Sequence, residues 1–359
     1  MNTNNFLDSD SVIFILGAGA SVDAKIPHAS QMVINFEKIL SDEKYAEEKE
    51  LYLLLKSAIL FQRGLKCFIP NFLVSIEDIL NVIESLKQKQ ENILYPFIGN
   101  WSNQLVKTSG ENFSLVDKLD ELIRGSLYKW VAPENYNYSI YYNKIGELSK
   151  SLSFPIRVFS LNYDICVEEA FKKGNYILET GFHESTYKWS YERFESPLEC
   201  NIDAYLYKLH GSINWKRNEQ GELMRSDSVV ENPQVIFGTI MKLRSLDPYL
   251  FSIYELRRWS LNKNLKFIVI VGYSFSDDHI NKLIQQGLSN NQDLKLIVVD
   301  LSVDDNFKEK VRNSLKDAFN NLSVNSERII YYKNTAKSFF EDLDKEYLKS
   351  YLDNDGLPF

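Results

Sequence analysis

The chain has 359 residues, enough for one large or two ordinary domains with a substantial core. Apolar residues make up 44% and charged residues 25%, the balance of a soluble globular protein. A net charge of −8 excludes a whole-chain basic footprint, so no direct nucleic-acid binding is expected. No apolar run approaches the roughly 20 residues that span a bilayer, and no membrane role is expected. The first ten residues carry no Lys or Arg and no extended apolar core follows, so no secretory leader is expected either. Cys67, Cys166 and Cys200 are too scattered for a disulfide framework or a CxxC pair and read as reduced thiols of a cytoplasmic protein. No His, Cys and carboxylate spacing calls for a metal.

In chain order, the first element is the apolar run Val12–Leu16, which breaks into Gly17-Ala18-Gly19-Ala20-Ser21. From about residue 31 to 150 no strand is expected. The stretch holds amphipathic Lys/Glu-rich periods, including Ser75–Lys89 and Leu115–Val131, and Ser75-Ile76-Glu77-Asp78 has capping-box form. Strands are then expected at Ile156–Ser160, Tyr205–Leu209, Gln234–Phe237, Phe267–Val271, Leu294–Val299 and Arg328–Tyr332. Helices are expected at Asp278–Leu288 and Phe307–Phe319, a single closing helix over Asn334–Tyr351, and a loose end at Gly356-Leu357-Pro358. The strands are short, Val/Ile-rich and mostly not alternating, as strands covered on both faces are. The fold class expected is α/β, a Rossmann-like parallel sheet with helices on both faces and a helical insertion. One domain would span 1–305, with the helical module at about 31–150 inserted into it. Residues 306–359 would complete it with a strand and a helix.

Several strand ends carry residues suited to a ligand. Glycines in Gly17–Ser21 allow a tight turn and close approach of a diphosphate to backbone N–H groups, though the segment is not a full GxGxxG and a plain small-residue turn reads equally well. Asn162 and Asp164 follow the second strand and would point into the crevice where open α/β sheets bind ligands; an Asx turn capping the next helix is the competing reading, more so for Asp164. His210, one of four histidines, sits at a strand end before Gly211, where an imidazole suits general-base work at neutral pH. A lone histidine is otherwise more often structural. His28, His183 and His279 lie in less telling contexts, His279 at a helix start that reads as surface. Gly272 and Ser274 end the most apolar strand and Asp300 ends the next. Asp300 either takes ribose hydroxyls or serves as a turn or cap residue.

Taken as an ordered set, these segments resemble the Sir2 (sirtuin) superfamily, and specifically its prokaryotic Sir2-like branch. Gly17-Ala18-Gly19-Ala20-Ser21 is similar to the family's GAGxS turn, Leu161-Asn162-Tyr163-Asp164 to its N-x-D segment, Leu209-His210-Gly211 to its His-Gly and Gly272-Tyr273-Ser274 to its later Gly-x-Ser. The resemblance implies NAD bound as substrate at the sheet. Gly17, Ala18, Gly19, Ala20 and Ser21 would hold the diphosphate, and Asn162 and Asp164 would face the nicotinamide ribose. His210 would be the base, Ser274 and Asp300 would lie on the adenosine side, and Gly272 would be a further cofactor-binding residue.

Two departures bear on the reaction. The zinc module of sirtuin deacetylases, with two CxxC pairs, is missing, and the helical insertion stands in its place. Where those enzymes carry Gly-Ile-Pro-Asp-Phe-Arg, this chain reads Lys25-Ile26-Pro27-His28-Ala29-Ser30. The resemblance therefore implies an NAD+ hydrolase of an anti-phage abortive-infection system, like the Sir2 subunit of Sir2–HerA type systems. A homo-oligomer gated by a separately encoded trigger, a HerA-like ATPase or a short Argonaute, would go with it. The alternatives are an NAD-dependent deacylase or ADP-ribosyltransferase, and a non-catalytic module that senses NAD or ADP-ribose.

Overall fold

The computed structural model describes residues 7, 10–66, 74–87, 103–195, 201–230, 233, 235, 247–316 and 328–353. Nine strands are found among them: β1 (Val12–Leu16), β2 (Ile156–Ser160), β3 (Leu178–Glu179), β4 (Ala204–Lys208), β5 (Trp215–Arg217), β6 (Leu223–Arg225), β7 (Phe267–Val271), β8 (Lys295–Val299) and β9 (Ile329–Tyr332). Seven form one sheet in the order β3-β4-β2-β1-β7-β8-β9, and every pairing in it is parallel. β5 and β6 pair separately as an antiparallel hairpin.

β1, β7 and β8 are buried along their whole length, because parallel strands at a sheet centre are covered on both faces. Successive side chains alternate between those faces. Ile13 and Ile15 join Ile268, Ile270, Leu296 and Val298 in a core roofed by Leu256 and Trp259 of the helix Tyr249–Ser260 and by Ile280, Ile284 and Leu288 of the helix Asp278–Asn290. Phe14 faces the other way and stacks on Phe340 at 6.2 Å, in the helix Ala336–Asp342. Tyr141 and Tyr142, which close the 3-10 segment Tyr136–Tyr142, pack on the same Phe340 ring. The fold is thus α/β and Rossmann-like, a parallel sheet between two helical layers.

The chain divides into two compact units. The sheet unit comprises Met1–Ile26, Pro133–Val235 and Leu246–Phe359, and the second unit Pro27–Ala132 with Ile236–Ser245. The described part of the second unit is helical: Ala29–Ile39, Ala46–Lys66, Ile76–Lys87, Asn103–Thr108 and Ser114–Trp130. Its core is built from the apolar stripes of these helices, with Leu80, Ile83, Leu119 and Ile123 buried and Phe36 edge-on to Tyr52 at 5.5 Å. The capping box forms: Asp78 Oδ2 accepts the Ser75 N–H at 2.8 Å, and Ser75 Oγ accepts the Asp78 N–H at 3.2 Å.

Two sequence expectations differ from the structure. The closing helix is two helices, Ala336–Asp342 and Lys345–Asp353. The chain extends at Leu343 (ψ 117°), and Asp344 restarts the helix by accepting the Tyr347 N–H at 2.7 Å. β3 and the β5–β6 hairpin were not expected, since runs of two or three residues carry no legible period. The strand expected at Gln234–Phe237 falls almost wholly outside the described residues; Val235 alone is described, as a bridge to Gly211.

Candidate functional site

Parallel register carries five strands to one edge of the sheet at the same level. Leu16 pairs with Ser160 and with Val271, Ser160 with Lys208, and Val271 with Val299. The residues singled out in sequence are those that leave these ends: Gly17 after β1, Asn162 after β2, His210 after β4, Gly272 after β7 and Asp300 after β8. β1 sits between β2 and β7, so the topological switch point, where open α/β sheets take ligands, lies at its carboxyl end.

The glycine turn is packed backbone to backbone. Gly272 (φ +62°) donates nothing to the turn but presses on it: a Cβ there would lie 2.1 Å from the Ala20 nitrogen and 2.3 Å from the Gly19 carbonyl carbon. The Gly17 N–H donates to Val271 O, that of Gly19 to Gly272 O at 2.8 Å, and that of Ala20 to Gly17 O. Ala18 to Ser21 wind into a single 3-10 turn. Ala18 is exposed, and its N–H opens that turn with no acceptor among the described residues. The hydroxyls of Tyr141 and Tyr142 both donate to Ala20 O, at 2.6 and 2.8 Å. Burial raises both phenols above their ordinary range, so they stay protonated donors.

Asn162 ties β2 to this turn. Its Nδ2 donates to Gly17 O at 2.9 Å and to Ser21 Oγ at 3.1 Å, across 145 and 141 residues of sequence. Asp164 takes the capping role that sequence left open: Oδ1 accepts the Cys166 N–H at 3.0 Å, two residues on, at the start of the helix Cys166–Gly174. Its backbone carbonyl accepts from the buried Lys208 ammonium, which also lies 3.4 Å from Glu168 Oε1. Burial raises the Glu168 carboxyl and Lys208 opposes that. Burial, then the Asp164 charge, raises the Cys166 thiol and leaves it an inert neighbour.

The β2 and β4 exits are stitched together, with the Ile213 N–H (3.0 Å) and Ser212 Oγ (3.3 Å) both donating to Tyr163 O. His210, 7% exposed, sits at this seam with its ring 6.2 Å from that of Tyr163. Gly211 follows at φ +81°, a left-handed turn position that favours glycine. His210 Nε2 lies 3.4 Å from Asp277 Oδ2. Asp277 is not among the residues singled out in sequence. The signal was there in Ser276-Asp277-Asp278-His279, a capping aspartate one short loop after a buried strand, but nothing in sequence says which strand end it faces.

Ser274 and Asp300 lie on the far side of β7. Ser274 Oγ is 3.1 Å from Ser276 Oγ, which in turn receives the Lys310 ammonium at 3.2 Å. Asp300 Oδ1 accepts the Ser302 N–H at 2.7 Å, an Asx turn, and its charge acts on Lys310. The structure therefore joins Asn162 to Gly17 and Ser21, Asp164 to Lys208, and His210 to Asp277, while Ser274 reaches Ser276, which takes the Lys310 ammonium, and the Asp300 charge acts on that same ammonium. Among the described residues no group of three or more His, Cys, Asp or Glu comes together as a metal site.

Comparison with known proteins adds the following. Residues 156–322 match the family model described as a SIR2-like domain. That stretch runs from β2 through β8 and includes Asn162, Asp164, His210, Gly272, Ser274 and Asp300; the glycine turn precedes it. No curated protein matches the chain. A solved structure titled "The Structural basis of Sirtuin Substrate Affinity" aligns over 97% of this chain and 95% of its own, at 12% identity and a TM-score of 0.39.

Proposed function

We propose that the chain is an NAD+ glycohydrolase that cleaves the nicotinamide–ribose bond to give nicotinamide and ADP-ribose, acting as the effector of an anti-phage abortive-infection system. A SIR2-like domain points to NAD-related function in the broad sense. The observation that carries the narrower reading is the position of Asn162 and His210 on adjoining strand ends at the switch point, with the Asn162 amide fastened to the glycine turn. The turn offers the N–H of the exposed Ala18 to a diphosphate, while the amides of Gly17, Gly19 and Ala20 serve the fold.

Nicotinamide leaves as a neutral molecule, taking the bond's electron pair, so no strong general acid is needed. The protein has to hold the ribose, favour positive charge at its anomeric carbon and admit one water. Asn162 orients the ribose or the water. Asp164, its Oδ1 engaged by the Cys166 N–H, fixes the loop that faces the nicotinamide end. His210 accepts the proton lost by the attacking water or by a ribose hydroxyl, a contribution of about 10²–10⁴-fold. The activity would harm its own cell if ungated, which favours a homo-oligomer and a separately encoded trigger such as a HerA-like ATPase or a short Argonaute.

The test is to incubate the purified chain with NAD+, alone and with the product of a neighbouring gene, and to identify products by chromatography and mass spectrometry. Free ADP-ribose with stoichiometric nicotinamide is expected. An O-acyl-ADP-ribose or a modified protein would replace this reading with deacylation or ADP-ribosyl transfer. Stable binding without turnover would replace it with sensing.

A further inference from the structure

We infer that Asp277 is the positioning residue for His210, one carboxylate doing two tasks: Oδ1 caps the helix Asp278–Asn290 and Oδ2 holds the imidazole in the tautomer that leaves its other nitrogen able to accept a proton. The inference rests on the proton-accepting role of His210 given above.

Oδ1 accepts the N–H groups of His279 at 3.1 Å and Ile280 at 3.5 Å, which fixes the carboxylate plane at the helix start. The second oxygen lies 3.4 Å from His210 Nε2. Both side chains are about nine-tenths covered, at 10% and 12% exposure, so solvent does little to screen the pair.

The backbone of Asp277 is itself fixed. Its N–H donates to the Tyr273 hydroxyl at 3.2 Å, and that hydroxyl lies 2.9 Å from Asn281 Oδ1 and 3.1 Å from the Asp277 carbonyl. Asn281 Nδ2 donates to Phe275 O at 3.0 Å, closing the loop on itself. Burial, then the Asp277 charge, pushes the Tyr249 hydroxyl up to about 12. The carboxylate thus stands on a rigid ledge between β7 and its helix, facing the β4 exit.

A carboxylate is an acceptor only. Facing Nε2 at 3.4 Å, it favours the imidazole proton on that nitrogen and the lone pair on Nδ1. A base held by a third group in this way is a recurring arrangement in catalytic sites.

Asp277→Asn separates the two tasks. Asparagine caps a helix as well as aspartate does, so its oxygen stays with His279 and Ile280. Its NH2 then faces His210 Nε2, a donor where an acceptor stood, and the preferred tautomer reverses. The experiment labels histidine with 15N in the full-length protein and assigns the four histidines by single substitution. Tautomers are read at alkaline pH, where free imidazoles are neutral. Expected is a proton on Nε2 of His210 in the wild type and on Nδ1 in Asp277→Asn, with unchanged melting temperature. In parallel, kcat for nicotinamide release falls about tenfold to a hundredfold while KM for NAD+ changes less than about twofold. Asp277→Glu, which keeps the carboxylate, retains more kcat than Asp277→Asn. An unchanged His210 tautomer, or wild-type kcat in Asp277→Asn, overturns the inference. If the wild type releases no nicotinamide, the glycohydrolase reading falls, and the tautomer measurement still decides whether Asp277 sets His210.

Discussion

The glycine turn and the histidine corner occupy the same edge of one sheet, yet different forces hold them. At the turn, backbone meets backbone: Gly17, Gly19 and Gly272 touch with no side chain between them, and the amides of Gly17, Gly19 and Ala20 are consumed in doing so. At the corner, side chain meets side chain: His210 faces Asp277 across 3.4 Å, and the backbone merely delivers them. Damage to the turn should therefore read out as lost structure, and damage to the corner as lost chemistry in a structure that persists.

The sharpest way to break that contrast is Gly272→Ala. The new methyl would sit 2.1 Å from the Ala20 nitrogen, against the backbone of Gly19 and Ala20 and with φ at +62°. A loss of about 3–5 kcal/mol in urea unfolding is expected, from overpacking and backbone strain together. Next in size is His210→Ala, with nicotinamide release down by about 10²–10⁴-fold and unfolding midpoint little changed. A folded His210→Ala protein with full turnover would remove His210 from the mechanism.

Asn162→Ala tests the bridge between the two regions. It strips donors from Gly17 O and Ser21 Oγ, so a stability loss of about 1–3 kcal/mol should accompany the loss of activity. Ser21→Ala is milder: it removes one acceptor for Asn162 and costs about 1 kcal/mol. Smallest is Asp304→Ala, which only deprives the helix Asp305–Ser314 of its cap to Phe307. It should cost about 1 kcal/mol and leave turnover untouched.

Much of the fold was legible because buried parallel strands announce themselves. Val12–Leu16, Ile156–Ser160 and Phe267–Val271 are strands over the residues expected, and β4 is displaced by one from Tyr205–Leu209. What escaped was local: a break between two closing helices set by one capping aspartate, and strands too short to show a period. The site divides the same way. Register alone placed Asn162, His210, Gly272 and Asp300 at one edge, and sequence could foresee that. Which carboxylate meets His210 depends on how the β7 loop folds back, through Tyr273 and Asn281. Those are contacts among side chains that no spacing encodes.

The outward-facing Ala18 has a practical consequence. Its neighbours Gly17 and Gly19 admit no side chain, but position 18 already carries a methyl that meets solvent. A fluorophore attached through Ala18→Cys, in a chain with Cys67 and Cys200 replaced and the buried Cys166 kept, would be a sentinel at the mouth of the switch point. Its emission would register arrival of a dinucleotide in real time, before any bond is cut.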